Sequence, residues 1–452
     1  MRDLFATLPD DAPPPLPPGY LDSVLTRGRR SDRRRRAGVA LAWVLVVLLA
    51  ATLVIPGTQL LSRPATPSDR PSLPDRFAGY SVLTGTVSKA PAGRAIALYG
   101  YGNGELFNMF QSLVVGADGD TYRRVDALEG RGKPTALLAP DGTGVLLGDD
   151  RGATGDLLLV DLTTGRERSI PIGDPVGVRL LAWSPDGRYV AYSAAPVTRT
   201  DEFGTVKFVE PQVARAGTLR LLELSTGRST TVAAITPAWT AAFAPDSRRL
   251  AVQVDQKAHL IDLDGREFGS VDIPAGRELA ADVGWSPDGG VLATVPWLGN
   301  GPKDVAGGTG HGVFLWKAGA VEFVPVADAG PVPATVPDVV QVLGWRSAGA
   351  VIVATVDADG FVSLAEVQVA TGTRQVLTRF DTGRNCELGW ETCHVFDLHL
   401  ATGLLLSDLT VRNAGRARRG PWPAPLTITV CVAVLGSGFL LWRRFRPGSA
   451  KP

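Results

Sequence analysis

The chain has 452 residues, with 46 Lys and Arg against 45 Asp and Glu, for a net charge of +1. Residues 1–36 hold eight Arg and five acids, and residues 443–452 hold four basic groups, so the middle keeps 34 basic and 40 acidic residues, near −6. Phosphate neutralisation needs a basic surface, so this balance excludes nucleic-acid binding by the middle.

In chain order, "PDDAPPPLPP" (9–18) reads as a polyproline spacer and 19–30 as a short amphipathic helix or a basic flank. Residues 37–55, "AGVALAWVLVVLLAATLVI", are uncharged and long enough for a bilayer core of ~30 Å. "RGRRSDRRRR" (27–36) precedes them, which predicts a cytoplasmic N-terminus. A retained anchor is expected over a signal peptide, because no small-x-small cleavage site follows. A Pro-rich stalk over 57–76 comes next. At the far end, "APLTITVCVAVLGSGFLLW" (424–442) reads as a second span, or else as a buried strand or helix. The expected organisation is a tail (1–36), a transmembrane helix (37–56), the stalk (57–76), a β domain (77–412), a basic linker (413–423), a second transmembrane helix (424–442) and a basic tail (443–452).

The 52 Gly and 34 Pro are spread between apolar runs and signal many turns. "AWSPDGRYVAYSA" (182–194) shows the unit: an apolar run, a Ser-Pro-Asp-Gly turn, then alternation with the period of a strand. Copies begin at Leu137, Ala241 and Val283, and a degenerate copy at Leu343 keeps Trp345 in register with Trp183 and Trp285. The turn residues Asp141, Asp186, Asp246 and Asp288 are 45, 60 and 42 residues apart. A second hairpin follows each copy, as in 156–172 and 218–232, giving four strands per repeat at a propeller-blade period. Another repeat is expected at 80–127, so six blades are favoured, while 393–400 and 404–412 are available for a seventh.

The motif (W/F)-(S/A)-P-D-(G/S)-x-x-(L/V)-A resembles the blade motif of TolB-type and related WD-repeat-like β-propellers. The resemblance covers residues 78–411 and implies an all-β β-propeller fold, here flanked by two transmembrane helices. It implies no particular activity, because such propellers serve unrelated roles. The Arg-, Ala-, Gly- and Pro-heavy make-up is compatible with an actinobacterial source.

Few residues stand out chemically. Cys386 and Cys393, in "NCELGWETC", are read as a local disulfide in an oxidising compartment. A metal site with His394 and His399 is disfavoured, since Cys393 and His399 share one strand face and His394 lies on the other. No metal or other cofactor is expected. No Gly-x-Ser-x-Gly occurs, and "DLDG", "DADG" and "ADGD" read as hairpin turns, not calcium loops. The repeat-registered Trp residues are assigned to packing. Trp297, at the start of a long insert, and His311, in a Gly-rich loop, are the candidate ligand contacts, with Trp239 a weaker one. The expectation is a membrane-anchored extracytoplasmic propeller, two-pass with both termini cytoplasmic. Without catalysis, it binds or senses a protein, peptide or envelope component. Its alternatives are a scaffold in a membrane complex and a hydrolase or lyase using channel carboxylates.

Overall fold

The computed structural model describes residues 70–79, 81, 83–102, 111–128, 135–149, 152–197, 209–297, 319–326, 334–356, 362–380, 394–421, 432 and 435–439. The chain divides into two compact units, Met1–Leu61 with Ala424–Pro452, and Ser62–Pro423. Nearly all described residues belong to the second unit, which is built from strands.

After β1 (Ser72–Pro74) and β2 (Arg76–Phe77), the strands β3 (Ala95–Gly102), β4 (Gln111–Gly116) and β5 (Tyr122–Arg124) form an antiparallel run. Next come β6 (Ala136–Leu138), β7 (Gly144–Leu147), β8 (Thr154–Asp161), β9 (Glu167–Trp183), β10 (Tyr189–Ala195), β11 (Thr218–Glu223) and β12 (Arg228–Val232), with helix α1 (Glu210–Ala216) between β10 and β11. Two four-stranded meanders follow: β13 (Thr240–Phe243), β14 (Arg249–Val254), β15 (Lys257–Asp262) and β16 (Glu267–Asp272), then β17 (Arg277–Leu279), β18 (Val291–Pro296), β19 (Gly319–Pro325) and β20 (Val336–Val339). The last meander comprises β21 (Gln341–Ser347), β22 (Ala350–Val356), β23 (Val362–Gln368) and β24 (Arg374–Phe380), and the chain ends its strands with β25 (His394–Leu400), helix α2 (Thr402–Leu405) and β26 (Thr410–Arg412).

The inner strands β25, β6, β9, β13, β17 and β21 neighbour one another around a ring, with β18 making the contact from the β17 sheet to β21. Four blades stand as separate sheets, which corrects the expectation of six discrete blades. Strands β6 to β12 run on as one seven-stranded sheet, because β9 is 17 residues long. Its first half pairs with β8 (Val160 with Glu167, Asp156 with Pro171), and its second half pairs with β10 (Ala195 with Gly177, Val190 with Trp183). No turn separates the two halves, so the ladder never breaks.

The repeated turns explain the motif. Ser184 Oγ donates to Asp186 Oδ1 at 2.6 Å and accepts the Tyr189 N–H at 2.8 Å, while Asp186 Oδ1 also takes the Arg188 N–H at 3.0 Å. Ser286 and Asp288 repeat this, with 2.6 Å between hydroxyl and carboxylate, 3.0 Å from the Val291 N–H and 3.1 Å from the Gly290 N–H. Gly187 and Gly289 take φ of +74° and +75°, where a side chain would be strained. The preceding Trp closes the unit: Trp183 Nε1 donates to Gly187 O and Trp285 Nε1 to Gly289 O. Both indoles and that of Trp345 are buried among the sheets, as expected. In the Asp246 copy a Ser stands where Gly is usual. Ser247 adopts φ +57° and its hydroxyl accepts the Asp186 N–H of the previous repeat.

The ring closes with strands from opposite ends of the chain. Residues 80–127 supply only β3, β4 and β5, and the inner strand of that blade is β25, paired antiparallel to β3 (Val395 with Tyr101, Leu400 with Ala97). Of the strand expected at 393–400, the described part His394–Leu400 completes the first blade and does not start a seventh. Residues 404–412 supply part of α2 and β26, which pairs parallel to β1 (Ser72 with Thr410). β2 adds parallel to the outer edge of β24. Asp120 clasps the seam. It is 7% exposed, its Oδ1 accepts Arg412 Nη2 at 3.1 Å and its Oδ2 accepts the Gly415 N–H at 2.7 Å. Arg412 Nη1 also donates to Ser72 Oγ and Ser72 O, and Arg419 reaches Thr84 Oγ1 and Gly79 O.

The expected transmembrane helices are corrected too, and with them the two-pass localisation. No helix among the described residues is long and apolar enough to cross a membrane. The two α-helices of the second unit's described residues have seven and four residues, about 10 Å and 6 Å at the usual rise, against a hydrocarbon core of ~30 Å. Residues 37–56 lie outside the described residues, as does most of 424–442.

Breaking one side of a buried ion pair strands the other charge, which typically costs about 3–5 kcal/mol. Asp120→Ala and Arg412→Ala are each expected to lower the unfolding free energy by that amount in urea titrations. The double variant should lose less than the sum of the two, because both remove the shared Asp120–Arg412 contact while each also drops its own bonds to Gly415 or Ser72.

Candidate binding site at the inner strands

Three consecutive inner strands bring unlike side chains together at one end of the ring. Arg179 lies on β9 opposite Ser193, and Glu278 lies on β17 opposite Val295. Trp239 stands just before β13 and donates its backbone N–H to Gln253 O. Each is level with the far end of the second strand of its repeat, so all three face the end from which the long connections after Ala195 and Pro296 depart. The side chains meet there. The Arg179 guanidinium carbon lies 4.3 Å from the centroid of the Trp239 ring, and Nη1 donates to Trp239 O at 2.7 Å. The Trp239 indole N–H donates to Glu278 Oε2 at 2.8 Å. A cation, an aromatic face and a carboxylate are thus fixed by one another across three repeats.

Arg277 supports this wall from behind. It is 9% exposed, and its guanidinium donates to Thr294 Oγ1, Thr294 O and Ala320 O while pairing with Glu322 at 3.1 Å. Below, Gln253 Oε1 accepts the Leu279 N–H at 2.6 Å and ties the β13 sheet to β17. Close packing at the β9 side needs Gly177. A Cβ there would meet Val197, Val209 and Val213 side chains at 2.4 to 2.9 Å, where α1 lies on β9 and β10.

Burial raises the pKa of Glu278, and the Trp239 hydrogen bond and the Arg179 charge oppose the rise. Asp282, four residues further along the same wall, is pushed up to about 7 by burial, against the pull of the Trp183 N–H on its Oδ1. His399 on β25 moves the other way, down to about 4, again through burial, although both residues keep some accessible surface. Among the described residues, no three His, Cys, Asp or Glu side chains come together as metal ligands.

Of the residues singled out in the sequence, Trp239 is in the patch. Trp297 is at the same end, half-buried, with its backbone N–H donating to Gly276 O at 2.9 Å, two residues before Glu278. His311, Cys386 and Cys393 lie outside the described residues. His259 Nδ1 hydrogen-bonds to Glu267 Oε1 at 2.9 Å. Sequence reading missed Arg179, Glu278 and Asp282. One signal was available: Arg179, Trp239 and Gln341 each stand four residues before the motif aromatic (Trp183, Phe243, Trp345). Gln341 likewise crosses to its neighbour, donating to Leu398 O at 2.9 Å. Nothing local marks Glu278, because its strand is irregular between Ala280 and Trp285.

No family model and no characterised protein sequence matches the chain. Solved structures do. TolB from Acinetobacter baumannii is similar at 14% identity and a TM-score of 0.42, over 68% of this chain and 67% of that one. An oligogalacturonate lyase from Vibrio parahaemolyticus is similar at 13% identity and a TM-score of 0.41, over 71% and 82%. An oligogalacturonate lyase in complex with manganese is similar at 15% identity and a TM-score of 0.38, over 70% and 81%. These neighbours include the TolB type that the motif resembles. Likeness this distant bears on fold and says nothing about what the chain binds or does.

The His399 shift has a pH signature. A folded-state pKa of about 4 lies below the ordinary 6.5, so the folded protein disfavours the protonated imidazole. Stability is complete above pH ~6.5 and is lost as pH falls towards 4. Replacing His399 with Gln is expected to remove on the order of 1–3 kcal/mol of this acid-side loss, read from urea midpoints at pH 7 and pH 4.5.

Proposed function

We propose that this propeller is a non-catalytic binding or sensing module that takes a protein, a peptide or an envelope component at the Arg179–Trp239–Glu278 patch. The observation that carries this reading is the meeting of the three side chains from consecutive repeats, each held by another. Preorganised Trp and Arg dominate binding energy at protein interfaces, because they bury much area at little cost in ordering. The guanidinium and carboxylate beside the indole suit the donors and acceptors of a polypeptide. Trp297 extends the same face. His311 stays a candidate contact from its Gly-rich sequence.

A second reading, a hydrolase or lyase using inner-strand carboxylates, draws on one observation. Glu278 and Asp282 both have pKa values raised by burial, Asp282 to about 7, and a carboxyl protonated near neutrality is what general acid catalysis uses.

The test is selection of peptides from a displayed library on the full-length chain, followed by titration of the selected peptides with intrinsic Trp fluorescence as readout. Trp239→Ala and Glu278→Gln are expected to weaken binding at least tenfold with unfolding midpoints nearly unchanged. Equal affinity for wild type and both variants would sink the site assignment. Turnover of a glycoside, ester or peptide substrate that Glu278→Gln abolishes would select the enzyme reading.

A further inference from the structure

Strand β2 is two residues long and joins the ring through one register, Arg76 opposite Arg379 and Phe77 opposite Phe380. Successive residues of a strand point to opposite faces, so the two pairs lie on different sides of the sheet. On one side Phe77 and Phe380 are buried and stacked, with ring centroids 4.5 Å apart. On the other side the same register sets two arginine stems next to one another, on strands about 4.8 Å apart. Both arginines are exposed. Like charges directly opposite repel, and the aromatic stack that fixes the register asks for no cation on either strand.

Among the described residues, neither guanidinium meets a carboxylate. Asp75, just before Arg76, accepts the Ala414 N–H on Oδ1 at 2.8 Å, and Glu366 on β23 pairs with Arg346 at 3.5 Å. The row of register partners continues across the sheet from Arg379 to Ser363 and from Ser363 to Thr355. Those two residues are 9% exposed, with their hydroxyls 3.0 Å apart. The row therefore holds two cations, two buried hydroxyls and no acid. Each planar guanidinium offers N–H donors in pairs that match two oxygens of one anion, and a charge of +2 is balanced by one dianion.

We propose that Arg76 and Arg379 form a binding site for a dianionic oxyanion of the phosphate or sulfate type, free or carried on a partner. Bound there, it bridges β2 and β24 and fastens the edge strand to the last blade. The site lies on the outer strands and stands whether or not the patch binds a polypeptide.

Titration of the full-length chain with inorganic phosphate, sulfate or phenyl phosphate tests it, at constant ionic strength and pH ~8, where phosphate is mostly dianionic. Acetate is the monovalent control. The readouts are the unfolding midpoint and hydrogen exchange of peptides covering 72–79. In wild type each dianion is expected to raise the midpoint and slow that exchange, and acetate to do neither. A tighter response to phenyl phosphate assigns a phosphoryl group carried on a partner, and a tighter one to inorganic phosphate a free ion. Arg76→Gln and Arg379→Gln should each raise the half-saturating phosphate concentration about tenfold or more. Arg76→Glu supplies the missing carboxylate, so it should raise the midpoint without phosphate and abolish the response. A wild-type response to the dianions no greater than that to acetate overturns the site. So does a phosphate response equal in wild type and both Gln variants.

Discussion

The pairing of β25 with β3 is the constraint on which the ring depends. The two strands lie almost 300 residues apart, yet without their ladder β3 would present a bare edge of N–H and C=O groups and the first blade would lack its inner strand. Bringing such distant segments together costs loop entropy before any contact rewards it. The return comes from several sources at one seam. β26 lies along β1, β2 lies along β24, and Asp120 gathers Arg412 and the Gly415 N–H. Around them Phe77, Tyr99 and Phe380 pack ring on ring, with centroids 4.5 to 5.6 Å apart. The first and last described strands thus cover one another.

Inside that closed ring, the repeated turn sets the register. In the Trp183 and Trp285 copies, Ser and Asp of the turn capture backbone N–H groups while the indole reaches the turn glycine carbonyl, so the inner strand enters both at the same depth. A residue at a given distance before the motif aromatic then falls at the same level in neighbouring repeats. Arg179, Trp239 and Gln341 share such a level, and each uses it to reach the next strand. The repeat starting near Arg277 breaks step. Its strand is irregular before Trp285, which puts Glu278 where regular spacing would put Ala281 and turns Asp282 inward. Chemistry collects where the repeat fails, as expected when local consistency is given up for a site.

Two titratable groups, His399 on β25 and Asp282 just beyond β17, have opposed shifts from one cause. Burial disfavours the charged form, so it lifts the Asp282 carboxyl and lowers the His399 imidazole, and both end up neutral over a band of mildly acidic pH. The inner wall is thereby free of both charges in that band. Glu278 and Arg179 differ: their opposite charges flank one indole, which shapes the patch as a bipolar surface and not as an acidic one. A propeller hosts many unrelated functions, so that local pattern says more about a partner than the fold does.

The strands, the turns and the buried Trp positions were legible in the sequence, since each depends on residues within about ten of one another: alternation of period two, Pro and Gly at set turn positions, an aromatic in register. That a propeller results also follows from the repeat. The partner of each terminal strand did not follow. "CHVFDLHL" reads as a spare strand because nothing in it names β3, and nothing local shows that β9 runs unbroken from one hairpin into the next repeat. The apolar stretches suggested spanning helices on length and hydropathy alone, and no helix among the described residues bears this out. Trp239 was visible as a large aromatic out of place, but Arg179 and Glu278 look like ordinary surface charges. Sequence determined the local hydrogen bonds, which need only neighbouring residues. The tertiary structure decided which distant side chains share a level of the ring, because that depends on how successive sheets stack and where one inner strand departs from the repeat.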